Sequence, residues 1–90
     1  MKISYDPVKR DVTLRERGLD FADAGIVFAG LQITQIDERL DYSEVRFQTY
    51  GLLNERMVMV VWIGTENDRR VISMRKCNDR EQNRYREQLG

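Results

Sequence analysis

The chain has 90 residues, enough for one domain with a modest core. It carries 15 Lys+Arg against 15 Asp+Glu, no His and one Cys, which excludes an intramolecular disulfide, two-histidine chemistry and a His/Cys zinc site. No apolar run reaches the roughly 18 residues that span a bilayer, and no apolar signal region opens the chain, so a single cytoplasmic domain over residues 1–90 is expected.

The zero net charge conceals a division. Residues 1–68 hold 8 Lys+Arg and 12 Asp+Glu, a balance of −4, while residues 69–90 hold 7 and 3, a balance of +4. A basic C-terminal quarter points to an anion-binding end.

Lys2–Tyr5 alternates polar and apolar residues and reads as a short strand. Asp6 before Pro7 is an N-cap followed by the residue suited to the first helical position. That helix should run to about Arg17, with Val8 and Val12 on its inner face and Gly18 ending it in a left-handed turn. Asp20 caps a second helix, Phe21–Phe28, whose buried stripe is Phe21, Ala24 and Phe28. From Leu31 to Ile36 the period changes to two, and Asp37–Ser43 is a polar turn. Val45, Phe47 and Thr49 form one face of the next strand, with Arg46, Gln48 and Tyr50 on the other. Asn54-Glu55 turns into Arg56–Ile63, which is apolar on both faces and so should be central. Thr65–Asp68 turns again into a last strand, Arg70–Lys76. Asn78 and Glu81 form a capping box for a final helix in which only Tyr85 and Leu89 are apolar, so weak docking is expected.

The expected fold is α+β, with two N-terminal helices packed on an antiparallel sheet of about four strands and a C-terminal helix at its edge. Arg69–Tyr85 organises the functional reading. Arg69, Arg70, Arg75, Lys76, Arg80 and Arg84 flank and follow the last strand, and each guanidinium offers a planar fork that matches phosphate and keeps its charge. Taken singly, such arginines are more often plain surface charges.

Together, several short pieces resemble the BrnT toxins, ribonucleases of type II toxin–antitoxin modules within the RelE-like superfamily. They are Tyr5-Asp6-Pro7 with Lys9, and Arg17-Gly18-Leu19-Asp20-Phe21 with Ala24 and Phe28. Ser43-Glu44-Val45-Arg46 follows with Gly51 downstream, then Arg70–Lys76 with Arg80-Glu81 and Tyr85. The chain departs from the family where Lys-His-Gly is replaced by Glu16-Arg17-Gly18, the preceding Asn by Thr13, and a later Ala by Cys77. The resemblance implies a RelE-like fold and a metal-independent endoribonuclease that needs no cofactor, cuts RNA such as mRNA and lowers translation. It also implies a ribbon–helix–helix antitoxin, through which the toxin meets operator DNA, and no membrane association.

RNA supplies its own nucleophile, so the protein must align the 2′-hydroxyl, move protons and stabilise the phosphate. Without His, the candidates for acid–base work are Glu44, Lys76 and Tyr85. Arg70, Arg75 and Arg80 would stabilise the phosphate. Arg46, Tyr50, Arg69 and Arg84 are candidates for holding RNA, with Tyr50 able to stack on a base. Glu81 reads as a capping residue alone. Two rivals stand beside the nuclease: a non-catalytic module that binds antitoxin or RNA, and a subunit that self-associates through Arg56–Ile63.

Overall fold

The computed structural model describes residues 2–41 and 43–90. In chain order the elements are β1 (Lys2–Tyr5), α1 (Pro7–Arg17), a 3₁₀ turn (Phe21–Asp23) leading into α2 (Ala24–Ala29), β2 (Gln32–Ile36), β3 (Phe47–Leu53), β4 (Arg56–Gly64), β5 (Asp68–Lys76) and α3 (Asp79–Leu89). The strands form one sheet in the order β1-β5-β4-β3-β2. Among the described residues, no helix is long and apolar enough to cross a membrane.

Local chemistry sets the element boundaries. Asp6 Oδ1 accepts from the Val8 N–H at 2.9 Å with Pro7 behind it, and Gly18 ends α1 at φ 68°. Asn54 and Glu55 both take positive φ, 51° and 70°, and so form the two-residue turn that matches the twist of the β3–β4 hairpin. Asn78 and Glu81 close the capping box of α3 in both directions.

The sheet is mixed and five-stranded, which corrects the expected antiparallel sheet of about four. Hairpins alternate the directions of β2 to β5 and leave the outer edge of β5 open. β1 fills the first part of that edge, parallel to β5, with Lys2 opposite Asp68 and Tyr5 opposite Val71. Beyond Tyr5, α1 takes over the same edge, and Arg17 Nη1 donates to the Met74 carbonyl at 2.9 Å. α1 also departs from expectation, because it buries no residue and Val8 is 70 % exposed. Polar ties hold it instead: the link to Met74, and Arg10 donating both Nε and Nη2 to Asp20 at 2.8 Å. The second helix differs too, since its first turn is 3₁₀ and α2 proper starts at Ala24.

Two cores lie on opposite faces of the sheet. Under the 3₁₀ turn and α2 sit Leu19, Phe21, Ala24, Val27, Leu53, Val58, Val60, Trp62, Val71 and Met74. Trp62 Nε1 donates to Thr49 Oγ1 at 2.8 Å, which satisfies its indole within this core. Under α3 sit Tyr50, Met57, Met59, Val61, Cys77, Tyr85 and Leu89. β4 supplies both cores and pairs on both sides, as its doubly apolar pattern predicts. It therefore has no free edge for the self-association considered above. α3 contacts β2 and β3 across the sheet face rather than lying at its edge, and its two apolar residues are both buried. The docking expected to be weak is reinforced by polar bonds described below.

Gly51 shows how closely α2 meets the sheet. A Cβ there would lie 2.7 Å from Val27 Cγ1, a stiff and fully buried side chain. At Gly25 the nearest atom, Ile3 Cγ1, is 3.9 Å away. Chemical denaturation should show Gly51→Ala losing about 1–3 kcal/mol. Gly25→Ala, inside α2, should gain about 0.5–1 kcal/mol.

Candidate functional site

A shift in register within β5 builds the site. Val61 pairs with Ser73 but Trp62 pairs with Val71, so Ile72 is an extra residue, a β-bulge. In an uninterrupted strand, residues five apart point to opposite faces. With the bulge between them, Arg70 pairs with Ile63 and Arg75 with Met59. Met59 belongs to the α3-side core, and Ile63, four residues further along β4, shares its face by alternation. Arg70 and Arg75 therefore rise from one surface. The same irregularity sends Val71 and Met74, three apart, into the opposite core.

Arg75 is held in place. Its Nη1 and Nη2 donate to Oε1 and Oε2 of Glu81, each at 2.7 Å, and Nη1 also reaches the Lys76 carbonyl at 3.3 Å. Glu81 in turn accepts from the Asn78 N–H at 3.0 Å, and its own N–H donates to Asn78 Oδ1 at 2.9 Å. Its carboxyl is lowered from 4.5 to about 2, first by the Arg75 hydrogen bonds, with burial opposing and Asn78, the Arg75 charge and Tyr50 assisting. At neutral pH Glu81 is thus a committed carboxylate and not a base.

Two tyrosines underlie this pair. The rings of Tyr50 and Tyr85 lie 4.5 Å apart at their centroids, and both side chains are buried. Burial raises the Tyr50 phenol above its usual value, with the charge of Glu81 adding to it. Tyr85 anchors α3, and Tyr50 has its ring covered rather than offered to a base. Gln82 Nε2 donates to the Cys77 carbonyl at 3.1 Å and adds to the docking. Cys77 is buried, which pushes its thiol up to about 11.

The remaining predicted residues divide among three places. Arg80 and Arg84 are exposed on α3, with the Arg84 guanidinium 6.0 Å from the Tyr85 ring. Lys76 pairs with Val58 and Arg69 with Gly64, so both leave the sheet on the α2 face, away from Arg75. Arg69 lies over Phe28 and Trp62 there, 4.4 and 4.6 Å from their ring centroids. Glu44 and Arg46 precede β3 rather than lying on it, because the strand starts at Phe47. They line an open cleft of about 570 Å³ along the β2–β3 connection, and Glu44 accepts from the Ser43 hydroxyl at 2.9 Å. The structure thus joins Arg70, Arg75, Tyr50 and Tyr85 on one face, and leaves Lys76, Arg69 and Glu44 apart from them.

Sequence reasoning missed the second role of Glu81 and the bulge. The spacing of Val71 and Met74 carried the signal for the bulge, since two core residues three apart do not fit a regular strand. Among the described residues, no group of three or more His, Cys, Asp or Glu is placed to hold a metal ion.

Two carboxylates tie distant segments by accepting from arginine. Asp20 is lowered from 3.8 to about 2, chiefly by the Arg10 hydrogen bonds, and Glu81 also lies near 2. Depressed folded-state values stabilise the protein above the unfolded-state values, and that contribution is lost as pH falls toward 2. Denaturation curves from pH 7 to pH 2 should lose stability mainly below about pH 4.5. The Asp20→Asn, Glu81→Gln double variant should be weaker at pH 7 and show a shallower loss over the acid range.

Comparison with curated proteins gives no match. A family model described as "Ribonuclease toxin, BrnT, of type II toxin-antitoxin system" matches residues 5–81, a span from the end of β1 to Glu81 in the first turn of α3. Matched over most of its length, and in agreement with the resemblance read from its motifs, the chain belongs to the BrnT family of ribonuclease toxins of type II toxin–antitoxin systems.

Proposed function

We propose that this protein is a metal-independent endoribonuclease that cuts RNA, mRNA foremost, on the α3 face of its sheet and thereby lowers translation. The observation that carries the reading is the placement of Arg70 and Arg75 on one surface, the sheet face on which α3 packs. Their Cα atoms are roughly 15 Å apart, at about 3.3 Å per strand residue. That span exceeds the spacing of adjacent phosphates and suits phosphates about two or three nucleotides apart on one strand better than a single phosphate, so the RNA backbone runs along β5.

The reaction follows from RNA's own nucleophile. The 2′-oxygen bonds to the adjacent phosphorus as the bond to the 5′-oxygen breaks, leaving a 2′,3′-cyclic phosphate and a 5′-hydroxyl. The 2′-hydroxyl gives its proton to water, and the departing 5′-oxygen takes one from water. Arg75 stabilises the charge that gathers on the phosphate oxygens, while Arg70, Arg80 and Arg84 hold the flanking backbone. With Glu81 engaged by Arg75 and no histidine in the chain, positioning and fixed positive charge carry most of the acceleration. The partner is a ribbon–helix–helix antitoxin that neutralises the toxin and links it to operator DNA. Family membership supports this reading, and the α+β fold is compatible with it.

The test is incubation of purified protein with RNA in excess chelator. Cleavage should persist and leave cyclic 2′,3′-phosphate ends. Arg75→Ala should slow it about 100-fold, and induced expression should arrest growth until an antitoxin is supplied. Cleavage abolished by chelator, or undiminished in Arg75→Ala, would contradict the proposal.

A further inference from the structure

We propose that Glu81 is a positioning residue that turns one edge of the Arg75 guanidinium toward an RNA phosphate; this rests on the ribonuclease reading above. A guanidinium has five N–H hydrogens in a rigid plane. Glu81 occupies one on Nη1 and one on Nη2, and the Lys76 carbonyl lies within reach of the second on Nη1. The hydrogens left are those of Nε and the outer side of Nη2. They are parallel, lie on one edge and form a second fork, spaced for two phosphate oxygens. The Arg75 side chain is 34 % exposed, so it is not sealed in the core.

A free arginine on a strand end samples many rotamers, and ordering it on the substrate costs entropy. Glu81 removes that cost beforehand. Its own position is set by the docking of α3 through Tyr85 and Leu89 and by the backbone N–H of residue 78, from which Glu81 Oε1 accepts at 3.0 Å whatever the side chain there. The carboxylate also subtracts from the positive charge that attracts RNA. Orientation gained and ground-state attraction lost is the signature of a group acting on the chemical step rather than on binding.

The plain alternative is that Glu81 only caps α3, and two variants separate the roles. Glu81→Gln keeps a residue that serves in a capping box but removes the charged, two-pronged acceptor. Asn78→Ala removes the cap and leaves the carboxylate facing Arg75. Glu81→Gln should cleave RNA about tenfold more slowly or worse, while binding a 2′-O-methyl RNA, which lacks the nucleophile, at least as tightly as the parent protein. Asn78→Ala should lower the melting temperature yet keep kcat within about twofold. Parental cleavage by Glu81→Gln, or losses of activity in both variants that follow their losses of stability, would overturn the assignment. If the parent protein cuts no RNA, the ribonuclease reading fails by itself. The Arg75 Nε–H NMR resonance then decides on the clamp. A shift on adding 2′-O-methyl RNA to the parent but not to Glu81→Gln supports it, and no shift in the parent, or equal shifts in both, overturns it.

Discussion

One extra residue in β5 governs where this protein can present charge. Side chains alternate along a strand, so a regular Arg70–Lys76 segment would put Arg70 and Arg75 on opposite faces. The bulge at Ile72 reverses the alternation halfway. It delivers Val71 and Met74 to one core and both arginines to the other side. A change of one residue in this register would expose core residues and scatter the cations together, which couples stability to the candidate site.

The second constraint is α3. A helix with two apolar residues holds itself to a sheet poorly by burial alone. Here Tyr85 and Leu89 supply the apolar contact, while Arg75–Glu81 and Gln82–Cys77 supply directional bonds at its start. An ion pair of this kind contributes little to stability where water competes for it, but it specifies geometry. The same bonds that seat the helix therefore orient the arginine. α1 follows a related logic, being fastened by Arg10 to Asp20 and by Arg17 to the β5 edge rather than by a buried stripe.

Much of the fold was legible in the sequence because short-range signals were strong and agreed with one another. Asp6-Pro7 and Gly18 bound α1, Asn78 with Glu81 starts α3, and the doubly apolar Arg56–Ile63 run becomes the central strand. What escaped depends on long-range geometry. The pairing of β1 with β5 joins opposite ends of the chain and leaves no local mark. Val8 and Val12 have helical spacing, yet which face of α1 meets the sheet is decided by side chains elsewhere. Within the site, Arg75 was legible as a cation, but Tyr50 looked like a stacking platform and lies buried against Tyr85. Lys76 and Arg75 are adjacent in sequence, which places them on opposite faces.

Cations occur on both sides of the sheet, so the two faces compete as the RNA-binding surface. Arg70 and Arg75 share the α3 side, whereas Arg69 and Lys76 lie on the α2 side. A crystal structure with a short 2′-O-methyl RNA distinguishes them directly. A phosphate is expected on the α3 side with oxygens about 2.7–2.9 Å from Arg75 Nε and Nη2, Glu81 still engaged behind it. RNA bound across Arg69 and Lys76, with Arg75 untouched, would contradict it.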